Sequence, residues 1–183
     1  MKEHLDLVLE ELSYSLNQID EFEYNIFVNK LLSADIVLIV AVGRVLISMK
    51  SWVKRMVHLG LNIDFVGSES EMPVGKNDLL IVASSSGESA IPKIIAKIAK
   101  EKRVSVAYLG CSPDSEIAHL SDLKLILKGK TKFNKPNEYQ SKQPMSTLFE
   151  QQIYLLGDII ALDIMKKNGW CEDDIKNRHA NLE

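Results

Sequence analysis

The sequence predicts an α/β protein with one parallel sheet of five strands. Five short segments rich in apolar and β-branched residues occur between residues 35 and 127. Helix-forming segments separate most of them, which is the pattern of repeated strand–helix–strand units. The first of the five segments is continuously apolar, as expected for a strand that is covered on both faces.

Two helices are predicted before the sheet. Apolar residues recur at helical spacing over residues 5–19, and a second helix is predicted over residues 21–32. The first strand is the run DIVLIVAVG, residues 35–43, which ends in glycine. A third helix is predicted over residues 48–60, because apolar residues repeat on one helical face until Gly60 stops them.

The rest of the sheet and a long helix follow. The other four strands are predicted from NIDFVG (62–67), DLLIVA (78–83), RVSVAYLG (103–110) and LKLIL (123–127). Helices are predicted over residues 89–100 and 147–167, with Pro92 tolerated in a first turn. Residues 128–142 are a polar connection with five lysines, which form either a solvated face or a basic lid over an anionic substrate. We therefore expect a single domain, with a helical segment (1–33), a sheet core (34–127) and a C-terminal helical arm (143–183).

Composition excludes several functional classes. The 183 residues are 46% hydrophobic and carry a net charge of −3, which argues against a nucleic-acid binder. Cys111 and Cys171 are far apart and form no CxxC pair, so we expect no disulfide framework, no zinc site and a reducing cytoplasmic location. The N-terminus is acidic and no apolar run approaches the ~20 residues of a membrane span, so we expect neither a targeting peptide nor a membrane partner.

Hydroxyls directly follow one of the buried strands. The stretch DLLIVASSSGESA places Ser84, Ser85, Ser86 and Ser89 at a strand's carboxyl end, where parallel sheets bind ligands. These hydroxyls, the backbone N–H groups around Gly87 and the following helix dipole suit a phosphate. The alternative is an ordinary polar turn in which Ser89 only caps the helix. The chain has neither GxGxxG nor GxxxxGK[ST], which favours a sugar phosphate over a nucleotide.

A glutamate begins the long apolar helix in QPMSTLFEQQIYLLGDIIALDIM. A helix that is apolar on most of its circumference is buried. Thr147 and Glu150 match the T-x-x-E capping box, in which the glutamate bonds a backbone N–H. The other interpretation makes Glu150 a general base in apolar surroundings. The residues alone favour the cap.

The remaining candidates carry weaker signals. His58 ends a predicted helix, where a partial positive charge suits the helix dipole, and we interpret it as structural. His4 and His119 are expected at the surface, and His179 lies in a polar tail where a lone histidine is usually solvated. Arg44 follows a strand and a glycine, a common but weak sign of an anion contact.

Four segments together resemble the 6-phospho-3-hexuloisomerase family of sugar isomerase (SIS) domains. QPMSTLFEQ (143–151) resembles that family's QPMGxLFEQ, and RHANLE (178–183) resembles its C-terminal ending. RMVHLGL (55–61) is similar to RLMHLGF, and SSSGESA (84–90) is similar to the SGSGET phosphate loop. The resemblance covers nearly the whole chain, and its most specific parts are the glutamate segment and the tail.

This resemblance implies a fold, an assembly and an activity. The fold is a single SIS domain with a five-stranded parallel flavodoxin-like sheet, assembled as a homodimer or as a homotetramer of paired dimers. The activity is isomerisation of D-arabino-3-hexulose 6-phosphate to fructose 6-phosphate, without metal or cofactor. The implied partners are the sugar-phosphate substrate and further copies of the chain.

It also implies roles for individual residues. Ser84, Ser86 and Ser89, together with Ser85 in the same loop, bind the phosphate. Glu150 is the base that moves a proton between C2 and C3 through a cis-enediol. The tail brings His179 to a neighbouring subunit's site, where it opens or orients the sugar, and Arg44 lines the same pocket.

Two departures from the family pattern leave the substrate open. The family's GRSG is Gly43-Arg44-Val45-Leu46 here, which removes a hydroxyl and adds apolar volume. In the loop, Ser85 replaces a glycine and Ser89 replaces a threonine, which keeps the hydroxyl. The alternatives are an isomerase of a related phosphosugar, such as an aldose phosphate, and a non-catalytic sugar-phosphate sensor.

Overall fold

Five parallel strands form one sheet in a computed structural model, which describes residues 1–182. The strands are β1 (Val37–Val40), β2 (Ile63–Phe65), β3 (Leu79–Ala83), β4 (Ser105–Gly110) and β5 (Leu123–Ile126). Their spatial order is β2-β1-β3-β4-β5, and Val37 pairs with Ile63 on one side and Leu79 on the other. This order is the flavodoxin-like one, so the predicted fold class is confirmed.

Seven helices surround this sheet in the described part of the chain. They are α1 (Lys2–Leu16), α2 (Glu21–Ser33), α3 (Gly43–His58), α4 (Ala90–Glu101), α5 (Glu116–Leu120), α6 (Thr147–Asn168) and α7 (Glu172–Lys176). The prediction for α3 was wrong at its start, because Val45 already belongs to the buried face that continues through Met49 and Trp52. The helices α5 and α7 were not predicted, since five residues are too short for an apolar repeat.

The hydrophobic core lies on both faces of the sheet. Alternate residues of a strand point to opposite faces, and those of β1 divide accordingly: Val37 and Ile39 belong to one apolar cluster, Leu38 and Val40 to the other. The first cluster includes residues of α2, α3 and α6, and the second includes residues of α4 and α5. The helix α6, which begins the predicted C-terminal arm, is therefore part of the core.

Helix α6 packs closely against α3. Trp52 is buried between them, and its indole N–H donates to the carbonyl of Ile153. A Cβ atom on Gly157 would lie 2.4 Å from Trp52 Cδ1, so glycine permits this approach. The contact fixes α6, and with it the segment that begins the helix, relative to the carboxyl end of β1.

The strand order places a switch point between β1 and β3. The chain leaves β1 through α3 towards β2, and it leaves β3 through α4 towards β4, on the opposite side. The crossovers diverge there and leave a crevice at the carboxyl ends of the two strands. Within residues 1–182, no helix is long and apolar enough to cross a membrane.

Candidate active site

A cavity of about 600 Å³ lies at this switch point. Three parts of the chain line it: the turn from β1 into α3, the serine loop after β3, and the segment that leads into α6. Its lining residues are Val42, Gly43, Arg44, Val45, Ala83, Ser84, Ser85, Ser86, Ser89, Lys132, Pro144, Met145, Ser146, Thr147 and Glu150. The cavity thus brings together every residue that the sequence suggested for the site except His179.

The serine loop is held from the β4 side. The Tyr108 hydroxyl donates to the Ser84 carbonyl at 3.0 Å, and the N–H of Cys111 donates to the Ser85 carbonyl at 2.9 Å. Ser84, Ser85 and Ser86 are all buried. These backbone bonds fix the loop while its serines line the cavity.

Gly87 makes the tight turn of the loop possible. Its φ is +64°, a left-handed conformation that other residues adopt only with strain. A Cβ atom at this position would lie 1.9 Å from the Ser115 hydroxyl oxygen. The loop therefore requires glycine for both its backbone conformation and its packing.

Ser89 occupies the N-cap position of α4 without capping it. Its side chain bonds no N–H of the helix, and its hydroxyl oxygen lies 3.1 Å from that of Ser84. Interpreting Ser89 as a simple helix cap was therefore wrong. The two hydroxyls form a pair at the cavity wall, directly before the first turn of α4.

The helix termini at the cavity favour an anion. Both α3 and α4 begin there, and among the helices of residues 1–182 these two alone lack an acidic residue in their first turn. Acidic residues normally compensate the positive end of a helix dipole. The α3 terminus carries Arg44 instead, whose charge is paired with a carboxylate at the same cavity, so the two helix termini are what favours an anion here.

Glu150 lies at the wall of the cavity and is 7% exposed. Its Oε2 accepts from Nε of Arg44 at 2.5 Å, and its Oε1 accepts from the Ser146 hydroxyl at 3.0 Å. This hydrogen bond and the charge of Glu150 raise the pKa of the Arg44 guanidinium. The capping box is not formed, because the N-cap is Ser146 rather than Thr147 and Glu150 consequently lies one position too late.

The two departures from the family's GRSG pattern differ in their positions. Val45 lines the cavity, whereas Leu46 is packed against the core and is not among the lining residues. Lys132, Met145 and Ser146 also line the cavity and were not singled out from the sequence. The only signals for them were the lysine-rich composition of residues 128–142 and the QPMST segment itself.

His179 lies away from this cavity. Its ring centroid is 4.7 Å from that of His58, which is buried at the C-terminal end of α3. Arg44 is at the opposite end of the same helix, so about 21 Å of helix axis separate it from His58 at 1.5 Å per residue. The role of His179 at a neighbouring subunit's site stays a prediction.

Known proteins resemble this chain over its whole length. A 3-hexulose-6-phosphate isomerase from Bacillus subtilis is 33% identical over 181 residues, covering 99% of this chain and 98% of the relative. A 3-hexulose-6-phosphate isomerase from Mycobacterium gastri is 25% identical over 180 residues, covering 98% and 90%. No protein-family model matches the chain.

A solved structure agrees with this relationship. The crystal structure of a hypothetical protein from Methanococcus jannaschii superposes on this chain with a TM-score of 0.86. The function inferred for that protein from its structure is 3-hexulose-6-phosphate isomerase. The two proteins are 27% identical, and the match covers 99% of both chains. The resemblance inferred from four short segments is thereby confirmed: the chain belongs to the 3-hexulose-6-phosphate isomerase family.

Proposed function

We propose that this protein interconverts D-arabino-3-hexulose 6-phosphate and fructose 6-phosphate. The names of its relatives support a phosphosugar isomerase in general. The observation that carries the specific proposal is the position of Glu150, a carboxylate held at the wall of a cavity that a hydroxyl-rich loop also lines. A proton carrier and an anion site therefore face the same space.

The phosphate binds at the serine loop. Ser84, Ser85, Ser86 and Ser89 supply hydroxyl donors, and the α4 terminus supplies a dipole that no acidic residue in its first turn compensates. Hydrogen bonds to a phosphate are charge-assisted and stronger than those between neutral groups. Binding the phosphate here directs the carbon chain of the sugar along the cavity towards Arg44 and Glu150.

Glu150 transfers the proton between adjacent carbons. Its carboxylate takes the proton from C2 of the 3-ketose as a C2–C3 double bond forms, which leaves a cis-enediolate with its negative charge on the C3 oxygen. The hydroxyl proton of the C2 oxygen then passes to the C3 oxygen, C2 becomes the carbonyl, and the protonated Glu150 returns its proton to C3. The Arg44 guanidinium donates hydrogen bonds to the oxygen that carries the developing negative charge. These steps move protons only, so we propose a reaction without metal or cofactor.

The assembly completes the site in this proposal. His179 is remote from the cavity of its own chain and lies near the chain's C-terminus. We propose that, in a homodimer or homotetramer, the tail presents His179 to the cavity of a neighbouring copy. There the imidazole opens or orients the sugar.

A related phosphosugar is the second candidate for the substrate. Val45 presents methyl groups to the cavity at a position where the family pattern has serine. An apolar side chain there removes one donor, so it favours a ligand with fewer polar groups at that point. An experiment must therefore distinguish the proposed activity from two alternatives, an aldose–ketose isomerase of the same fold and a non-catalytic sensor.

Proton exchange in D₂O distinguishes these three functions. The purified protein is incubated with fructose 6-phosphate, and the sugar protons are followed by NMR. The proposal predicts loss of the C3 proton signal and growth of a 3-ketose. Exchange at C1 would indicate an aldose–ketose isomerase. Absence of exchange, with fructose 6-phosphate still raising Tm, would indicate a sensor.

A further inference from the structure

Helix α1 buries a carboxylate that the proposed reaction does not use. The buried carboxylates of residues 1–182 are those of Glu11, Asp78 and Glu150. Glu150 lies at the cavity, and Asp78 accepts from backbone N–H groups of Ile36 and Gly75 beside the sheet. Glu11 is 4% exposed, and it lies on the N-terminal helix, outside the sheet and the cavity lining.

Glu11 binds the connection that precedes α6. Its Oε2 accepts from the Ser141 hydroxyl at 2.6 Å and from the Gln143 side-chain amide at 3.1 Å. Its Oε1 accepts from the backbone N–H of Lys142 at 2.7 Å. Three consecutive residues, more than 125 positions away in the chain, are thus fixed to one carboxylate.

A further hydrogen bond joins the two ends of the lysine-rich segment, residues 128–142. Lys130 Nζ donates to the Ser141 carbonyl at 2.7 Å, so residue 130 is tied to the site that Glu11 holds. One turn further along α1, Tyr14 stacks on Tyr139 with ring centroids 5.3 Å apart. Helix α1 therefore contacts this segment at two places.

Residues on either side of this anchor line the cavity. Lys132 lies between the two tied ends, and Pro144, Met145, Ser146 and Thr147 follow Gln143 directly. Met145 has φ +51°, a left-handed conformation that a methionine keeps only where its surroundings enforce it. Because no strand or helix holds residues 127–146, their position depends on tertiary anchors such as Glu11.

The charge of Glu11 fits this role. Burial alone raises the pKa of its carboxyl group, but hydrogen bonds from Ser141, Lys142 and Gln143 and the charge of Lys130 outweigh burial and lower it. A carboxylate that accepts several hydrogen bonds is stabilised in its ionised form. Glu11 is therefore an ionised anchor behind the cavity wall.

We propose that Glu11 is a positioning residue, which holds Lys132 and Met145–Thr147 as the wall of the cavity and thereby sets its affinity for a phosphosugar. The choice of phosphosugar rests on the proposed function. Glu150 lies on α6, which the core fixes through Trp52, and its other oxygen is held by Arg44 of α3. Loss of Glu11 therefore leaves the proton carrier in place, even where the Ser146 bond to it loosens. The proposal therefore predicts weaker binding of substrate with nearly unchanged turnover.

The test compares Glu11→Gln with Glu10→Gln. Glu10 is the exposed neighbour on the same helix, so its variant makes the same change of charge without touching residues 141–143. In Glu11→Gln we expect KM for fructose 6-phosphate to rise about tenfold with kcat changed by no more than about twofold. We also expect the amide of Lys142 to exchange with D₂O about tenfold faster than in the wild type. Glu10→Gln should match the wild type in all three quantities.

Other results would overturn the proposal. An unchanged KM in Glu11→Gln, whether or not kcat falls, would show that Glu11 does not set affinity. If Glu11→Gln does not fold, Glu11→Asp keeps the charge with a shorter reach, and we expect a KM about threefold higher and faster exchange at Lys142. A wild-type protein inactive on fructose 6-phosphate would instead contradict the proposed function. The amide exchange rate of Lys142 needs no substrate, so it would then decide the role of Glu11.

Discussion

The Nε atom of Arg44 donates to Oε2 of Glu150 at 2.5 Å, joining the first turn of α3 to the first turn of α6. The Arg44 side chain is 69% exposed, whereas that of Glu150 is 9% exposed. A buried carboxylate is thus oriented by a guanidinium that remains accessible from the cavity. This arrangement lets one arginine contact both the proposed base and a bound sugar.

Replacing Arg44 with lysine should impair the reaction although the charge is kept. A lysine ammonium does not reproduce the planar, directional donors of a guanidinium. We expect kcat/KM for fructose 6-phosphate to fall by about tenfold or more, since hydrogen bonds to charged groups are worth about 1.5–3 kcal/mol. Arg55→Lys is the control, because Arg55 lies on the same helix in an exposed ion pair with Asp158 at 3.9 Å. Equal kcat/KM values for the two variants would exclude the role given to Arg44.

Ser89→Ala should weaken phosphate binding without destabilising the fold. Its hydroxyl bonds no N–H of α4, so we expect the free energy of unfolding to change by less than about 0.5 kcal/mol. We expect Kd for fructose 6-phosphate to rise about tenfold.

Asp20→Ala is the cap control for Ser89→Ala, because Asp20 caps α2 by accepting from the N–H of Glu23 at 2.9 Å and does not line the cavity. Loss of such a cap costs about 1 kcal/mol, and we expect substrate affinity to be preserved. Urea denaturation and calorimetric titration of both variants measure the two quantities. The reverse pattern, with stability lost in Ser89→Ala and affinity kept, would return Ser89 to a capping role.

Val45→Thr should reveal which phosphosugar the cavity accepts. The change places a hydroxyl at the cavity wall with little change of shape, while Leu46, which packs against the core, is left intact. If the substrate is the 3-hexulose phosphate, a regained hydrogen bond lowers KM about threefold to tenfold. A higher KM than in the wild type would mean that the apolar wall belongs to a different ligand.

The stabilising effect of Glu11 should disappear in acid. Its pKa in the folded protein lies below the ordinary value of 4.5, so its contribution is complete above that value and is lost as the pH falls through the folded pKa. We therefore expect Glu11→Gln to be less stable than the wild type at pH 7, and we expect this deficit to shrink at an acidic pH below 4.5. Urea denaturation at both pH values measures the difference. A deficit that stays constant between them would show that the charge is not responsible.

The sequence was most informative where the physical signal is local. A buried parallel strand needs a continuous apolar run, and β1 and β3 were found for that reason. The hydroxyls after β3 indicated a ligand loop, because the carboxyl ends of parallel strands are where such loops lie. Glu150 was located in the first turn of its helix, although the residues alone favoured the wrong role for it.

Features that depend on distant contacts could not be predicted. Gly43 begins α3 with φ +60°, and a glycine directly after a strand is more typical of a turn than of a helix start. The N-cap of α6 is Ser146, one residue before the threonine that matched the capping pattern. The anchoring of Ser141 by Glu11 joins residues 130 positions apart, and no spacing in the sequence signals it.

The most direct test of the account measures deuterium incorporation at C3 of fructose 6-phosphate by Glu150→Gln and by the wild type. The amide keeps the size of the side chain but cannot accept a proton from carbon, so we expect the exchange rate to fall by about 10²–10⁴-fold. Kd for the sugar should stay within about threefold of the wild-type value, because the serine loop is unchanged. A Glu150→Gln protein that exchanges C3 at the wild-type rate would contradict the central claim that Glu150 carries the proton.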